Sequence, residues 1–151
     1  MKYKLTDQDG CTARDTQWGP GISHTAVGTG QYLCMAGWIH YYDSALLAVL
    51  LNPVHAGFSN PRLWEFRPSG RELHELGVKS GAKQGTTIRE IDVPVVSLEQ
   101  RIRFAILCAR AVYREPGWCA WAEAWLTGAD RTAAAARLSL ASLISAYSAP
   151  I

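Results

Sequence analysis

Residues 97–113 read SLEQRIRFAILCARAVY, and the change of period that begins here decides the fold. Ser97 followed three residues later by Gln100 is a capping box: the serine side chain accepts from the Gln100 N–H, and the glutamine reaches back to the Ser97 N–H. Leu98, Ile102, Ala105, Ile106, Ala109, Val112 and Tyr113 then recur at helical spacing. Downstream, Pro116 suits the first turn of a second helix, since its missing N–H would be an orphan there anyway. Trp118, Trp121, Ala122 and Trp125 make one apolar stripe, which Gly128 ends. Asp130 is placed to cap a last helix, Arg131 to about Tyr147, rich in Ala, Leu and Ser.

Upstream of Ser97 the chain reads mostly as turns and short strands. Tyr3 and Leu5 alternate with lysines, as in an edge strand. Asp9-Gly10, Gly19-Pro20-Gly21 and Gly28-Thr29-Gly30 are turn signals, and Gln31–Met35 is a short strand candidate. Asp43 is placed to cap a helix Ser44–Leu51, which Asn52-Pro53 ends. Arg62–Phe66 reads as a strand, residues 68–85 as a loop or irregular hairpin, and Thr86–Val93 as a β segment. Strands followed by helices predict an α+β fold. The expected architecture is a small, mostly antiparallel sheet in residues 1–95 packed against three C-terminal helices in residues 96–151, as one domain.

Composition narrows the function classes. The chain has 151 residues, 48% hydrophobic and 19% charged, which is globular rather than disordered. Its net charge of +2 is too mild to imply nucleic acid or an anionic membrane. No apolar stretch approaches the roughly 20 residues of a membrane span, and the polar start is unlike a signal peptide. A cytoplasmic protein is the expectation. The charge is unevenly spread, net −1 over residues 1–60 and +3 beyond, and 11 of the 15 basic residues are arginine. Arginine favours bidentate contact with carboxylate or phosphate. Cys11, Cys34, Cys108 and Cys119 form no CxxC pair, so free thiols are expected and no metal site.

The segment Leu33-Cys34-x-x-Gly37-Trp38-x-His40, followed by Leu46–Leu51, resembles an uncharacterised family of small proteins from bacteriophages, prophages and bacteria. The likeness extends to the strand Arg62–Phe66, to Lys79 and to Thr86–Ile91. Nearer relatives share segments like Glu99-Gln-Arg-x-Arg-Phe-Ala-Ile106 and Trp121-Ala-Glu-x-Trp-Leu-x-Gly-x-Asp-Arg131. The resemblance implies a mobile-element protein in a bacterial cytoplasm, where small proteins often act by binding host machinery. It implies no activity of its own.

Three functions follow as expectations. The leading one is a non-catalytic binding protein that inhibits or modulates a host protein or ribonucleoprotein complex, most concretely an anti-defence inhibitor of the anti-CRISPR kind. It needs no cofactor, touches no membrane, and has direct nucleic-acid contact only as a less favoured form. Its contact residues are expected on the helix from Ser97. Arg103, Arg110 and Arg114 fall within about 40° of one another on that helix, with Arg101 and Trp118 added. A solvated face, with Glu99 paired to Arg103 four residues on, is the plainer reading of that row. The stripe Trp118, Trp121 and Trp125 is read first as core. The second function is a small enzyme. His40, in the polar run His40-Tyr41-Tyr42-Asp43, has an unperturbed pKa near neutrality and suits acid–base work. The glycine turns, that histidine and Glu90 also resemble, at fold level, the ADP-ribosyltransferases, whose early His or Arg and late Glu orient a nicotinamide ribose; His24 or His40 with Glu90 would be the analogues. The plainer reading has His40 bonded to a loop carbonyl. The third function is a virion or self-assembling protein using residues 132–151.

Overall fold

A computed structural model describes residues 1–75 and 77–139. The fold is α+β. The chain divides into two compact units, Met1–Val96 and Ser97–Ile151, where the sequence suggests one domain that changes character at 95/96.

In the first unit, every strand pair is antiparallel. Strand β1 (Lys2–Thr6) pairs with β6 (Arg62–Glu75), Lys2 opposite Phe66 and Thr6 opposite Arg62. Strand β6 forms a long hairpin with β7 (Lys79–Ile91). The other edge of β7 takes β4 (Ser23–Thr25) opposite residues 84–86 and β5 (Ile39–Tyr41) opposite residues 80–82. Just past β5, Tyr42 exchanges two backbone hydrogen bonds of 2.8 Å with Tyr3. The circuit β1–β6–β7–β5 therefore closes on β1, which leaves fewer open strand edges. A two-stranded ribbon of β2 (Cys11–Thr12) and β3 (Thr16–Gln17) stands apart. Trp18, Ile39, Tyr41, Phe66 and Ala82 form one buried cluster.

Residues 68–75 and 79–85 lie in the arms of this hairpin, which is irregular at two bulges, between Trp64 and Phe66 and between Ser69 and Glu72. Its glycines read like loop residues, yet they are strand positions where backbone meets side chain closely. A Cβ at Gly85 would lie 2.0 Å from Phe66 Cζ, and one at Gly81 would lie 2.5 Å from Leu33 Cδ2.

Two local expectations are corrected. Residues 31–37 are turns and bends, not a strand. The Lys83 ammonium donates to the carbonyls of Gly28 and Gly37 at 3.2 and 2.7 Å, and Gly30 N–H donates to Ala36, so this segment is pinned as a loop. Helix α1 spans Ala45–His55 with Ser44 at its N-cap, and Pro53 lies inside it. Pro53 falls in the last turn, so it removes one hydrogen bond without stopping the helix. Asn52 instead closes the end, its side chain exchanging two hydrogen bonds with the Phe58 backbone. Asp43 does not cap the helix; it pairs with Lys2 at 2.9 Å.

In the second unit, α2 spans Leu98–Val112 with both arms of the capping box formed. Helix α3 spans Pro116–Thr127 with proline at its start, and Gly128 ends it in the left-handed region at φ 85°. Ile106, Trp118, Ala122 and Trp125 make the buried cluster, flanked by Ile102, Ala109 and Tyr113. Residues 133–139 are helical. Thr132 Oγ1 accepts from Ala135 N–H, and Asp130 accepts from Thr132 N–H. The rest of the expected last helix, and most of the proposed self-association segment, lies outside the described residues.

Candidate functional site

The titratable groups of the strand unit cluster at β5. Strand alternation sends the His40 and Tyr41 side chains to opposite faces. His40 Nε2 donates to the Leu33 carbonyl at 2.6 Å, so this ring is held by a loop carbonyl. Burial lowers its pKa, and the Lys79 and Lys4 charges add to that against the Leu33 bond. Tyr41 OH donates to Glu72, and burial plus that carboxylate raise its pKa. Tyr42 OH is hydrogen-bonded with His55 Nδ1 at 3.0 Å, the rings stacked at 14°. Burial pushes Tyr42 up to about 12 and lowers His55, which Lys79 lowers further.

Lys4 is 5% exposed, with Nζ 3.2 Å from the His40 carbonyl and 4.5 Å from the Trp18 ring centroid. Burial brings its pKa down to about 7. Sequence reasoning missed it, because alternation at Lys2 and Lys4 looks like a solvated edge. The signal that could find it is the closure of β1 against Tyr42, which no local pattern contains.

The structure does not bring His40 to Glu90. His40 sits opposite Gly81 and Trp64 opposite Glu90, both on β7. Those β7 positions are roughly 30 Å apart at about 3.3 Å per residue. His24, opposite Gly85, is roughly 17 Å from Glu90 by the same measure. Glu90 is engaged by Arg62 Nε at 2.9 Å, which lowers its pKa. Among the described residues no group of three or more His, Cys, Asp or Glu is placed to hold a metal, and the four cysteines are unpaired.

The expected contact residues on the helical unit separate into two groups. Arg110 is taken by Glu123 at 2.9 Å, and Arg114 folds back onto the Arg110 and Ala111 carbonyls, closing the end of α2. Trp118 is 6% exposed and belongs to the buried cluster, so it is not an exposed anchor. Arg101 and Arg103 are exposed, with no ion pair or hydrogen bond among the described residues. Glu99 does not pair with Arg103: it pairs with Arg131 at 2.9 Å, which also packs over the Trp125 ring.

No family model, no curated protein and no solved structure matches this chain. The reading of function therefore rests on the geometry of these residues.

That geometry leaves α2 uncovered. Ile106 is its one buried residue, while Leu98, Leu107 and Val112 are 74%, 50% and 86% exposed. A groove of about 310 Å³ runs between α2 and α3, lined by Ile102, Ala105, Ile106, Ala109, Trp118 and Trp121. Trp121 also lines a second groove with Ala124, Asp130, Ala135 and Leu138. The Trp121 indole N–H is buried and has no hydrogen-bond partner among the described residues. No helix among the described residues is long and apolar enough to cross a membrane.

Proposed function

We propose that the chain is a non-catalytic binding protein that modulates a host protein or ribonucleoprotein complex, with an anti-defence inhibitor as its most concrete form. The observation that carries this reading is the exposed surface of α2. A helix that stays folded in its unit while keeping Leu98 and Val112 in solvent, with the unengaged Arg101 beside them and the unengaged Arg103 on the opposite flank, has the make-up of an interface: apolar anchors with guanidinium groups. The β5 cluster supports the non-catalytic side, because His40 Nε2–H and Tyr41 OH are each taken by an internal acceptor and Tyr42 OH is bonded with His55. A general acid or base must instead reach a substrate proton.

The test is affinity capture of the tagged chain from a bacterial host lysate, with and without nuclease, beside a variant in which Arg101 and Arg103 are both Glu. The expected result is a stoichiometric host complex with the parent and its loss with the variant at unchanged helix content. A bait that stays clean in both forms would overturn the reading.

A further inference from the structure

We propose that the groove between α2 and α3 receives an acidic amphipathic helix of a partner protein; this rests on the binding reading above and names the chemistry of its partner. The first support is a row on α2. Leu98, Arg101, Ala105, Cys108 and Val112 are all exposed, at successive spacings of three and four. That is the spacing of a seam between two helices. The row adjoins the groove, since Ala105 belongs to both. Leu98 and Val112 stand at its ends as large apolar contacts, and Ala105 at its middle allows a second helix to come close. At 1.5 Å per residue the row is roughly 21 Å long, which suits a partner helix of about four turns.

The second support is the Trp121 indole N–H, a buried donor with no acceptor among the described residues, on a side chain that lines this groove. A buried donor left unmade costs about 1–3 kcal/mol, which a partner's carbonyl or carboxylate oxygen would recover. The third is charge. The four acidic side chains of residues 97–139 are all engaged: Glu99 by Arg131, Glu123 by Arg110, Glu115 by the Gly117 and Trp118 N–H groups, and Asp130 by Thr132 N–H. Arg101, at the rim one turn from Ala105, has no such partner among the described residues. A carboxylate on the incoming helix supplies one, with the two-toothed geometry that guanidinium favours.

The same observations disfavour two other occupants. Arg101 and Arg103 project roughly 160° apart on the helix, so they cannot track one phosphate backbone. A second copy laid on the same row brings Arg101 against either its own counterpart or Cys108, with no acid in either arrangement. A basic or neutral partner would leave Arg101 uncompensated in the contact.

The probe is a labelled synthetic helix of roughly 18 residues, with Leu at heptad spacing and Glu on its flanks, titrated by fluorescence anisotropy against the full chain. Its Lys-flanked counterpart and a single-stranded RNA of similar size are the comparisons. The Glu helix is expected to bind saturably and at least tenfold tighter than either. Arg101→Glu is expected to weaken it about tenfold, Ala105→Glu to abolish it, and Arg103→Glu, on the opposite flank, to change it less than twofold. Both α2 positions at the groove are exposed, so melting curves check that these variants fold, and Arg101→Ala repeats the test with no new charge. Equal binding of the Lys helix, tighter binding of the RNA, or a concentration-dependent dimer abolished by Ala105→Glu would each overturn the proposal. Absence of probe binding beside a host complex that the double Arg variant loses would sink this groove and leave the binding reading standing. A bound probe with no host complex would do the reverse.

Discussion

The two units handle buried indoles differently. In the strand unit Trp18 donates to Thr12, Trp38 to the Gly30 carbonyl and Trp64 to Thr6, each at 3.0 Å. In the helical unit the buried Trp121 N–H has no acceptor among the described residues. The strand unit also closes its backbone on itself through Tyr3 and Tyr42, whereas α2 keeps Leu98, Leu107 and Val112 exposed. A folded chain satisfies its buried polar groups almost without exception. A leftover donor on a side chain that lines an apolar groove is what the proposed contact role of the helical unit draws on.

The largest effect that would sharpen this contrast falls on the helical cluster. Trp118→Ala empties the centre of Ile106, Ala122 and Trp125 and is expected to cost about 4 kcal/mol, seen as a lower denaturation midpoint. A loss under about 1 kcal/mol would mean that Trp118 belongs to the contact surface rather than the core. In the strand unit the matching strike is Gly85→Ala, whose Cβ would meet the Phe66 ring at 2.0 Å. About 3 kcal/mol is expected from that overlap, and Phe66→Leu in the same chain should return part of it.

Lys4 is where the strand unit departs from its own rule, since a buried ammonium there faces a carbonyl and a ring but no anion within those contacts. Its folded pKa of about 7 lies below the ordinary 10.5. Between those values the unfolded chain holds more protons than the folded one, so stability rises with pH through that window, by up to about 1.4 kcal/mol per unit. Below about 7 the penalty is constant. Lys4→Met is expected to raise stability at pH 7 by about 2 kcal/mol and to flatten that rise in urea titrations at pH 7, 8 and 9. An unchanged slope would show that Lys4 stays charged in the folded chain. The smallest expected effect is Ser97→Ala, which removes one arm of the capping box and should cost about 1 kcal/mol of thermal stability. A neutral result would mean that packing alone sets where α2 begins.

Much of the helical unit was legible because its determinants are local. Ser97 and Gln100 sit three residues apart, Pro116 opens α3, and Gly128 closes it. Glu115, next to that proline, also accepts from the Gly117 and Trp118 N–H groups. The strand unit hid what depends on distant chain. Lys83 holds Gly28 and Gly37 from 55 and 46 residues away, which turns a short strand candidate at 31–35 into a loop. Gly81 and Gly85 read as breakers because what fills their space, Leu33 and Phe66, lies far off in sequence. The candidate surface was half legible. Helical phase put Arg103, Arg110 and Arg114 in one row beside the apolar face, but not that Glu123 would take Arg110 or that Arg114 would turn back on its own helix. The unmet Trp121 N–H could not be read at all, since it is defined by the neighbours it lacks.

The most direct test of contact by the helical unit is the indole N–H region of a ¹⁵N-tryptophan spectrum of the full chain, recorded before and after adding the Glu-flanked helix. The account predicts a Trp121 signal upfield of Trp18, Trp38 and Trp64 in the free chain. On addition that signal moves downfield to saturation while those three hold still. Movement confined to the strand-unit indoles, or a Trp121 signal that does not respond at saturation, would contradict it.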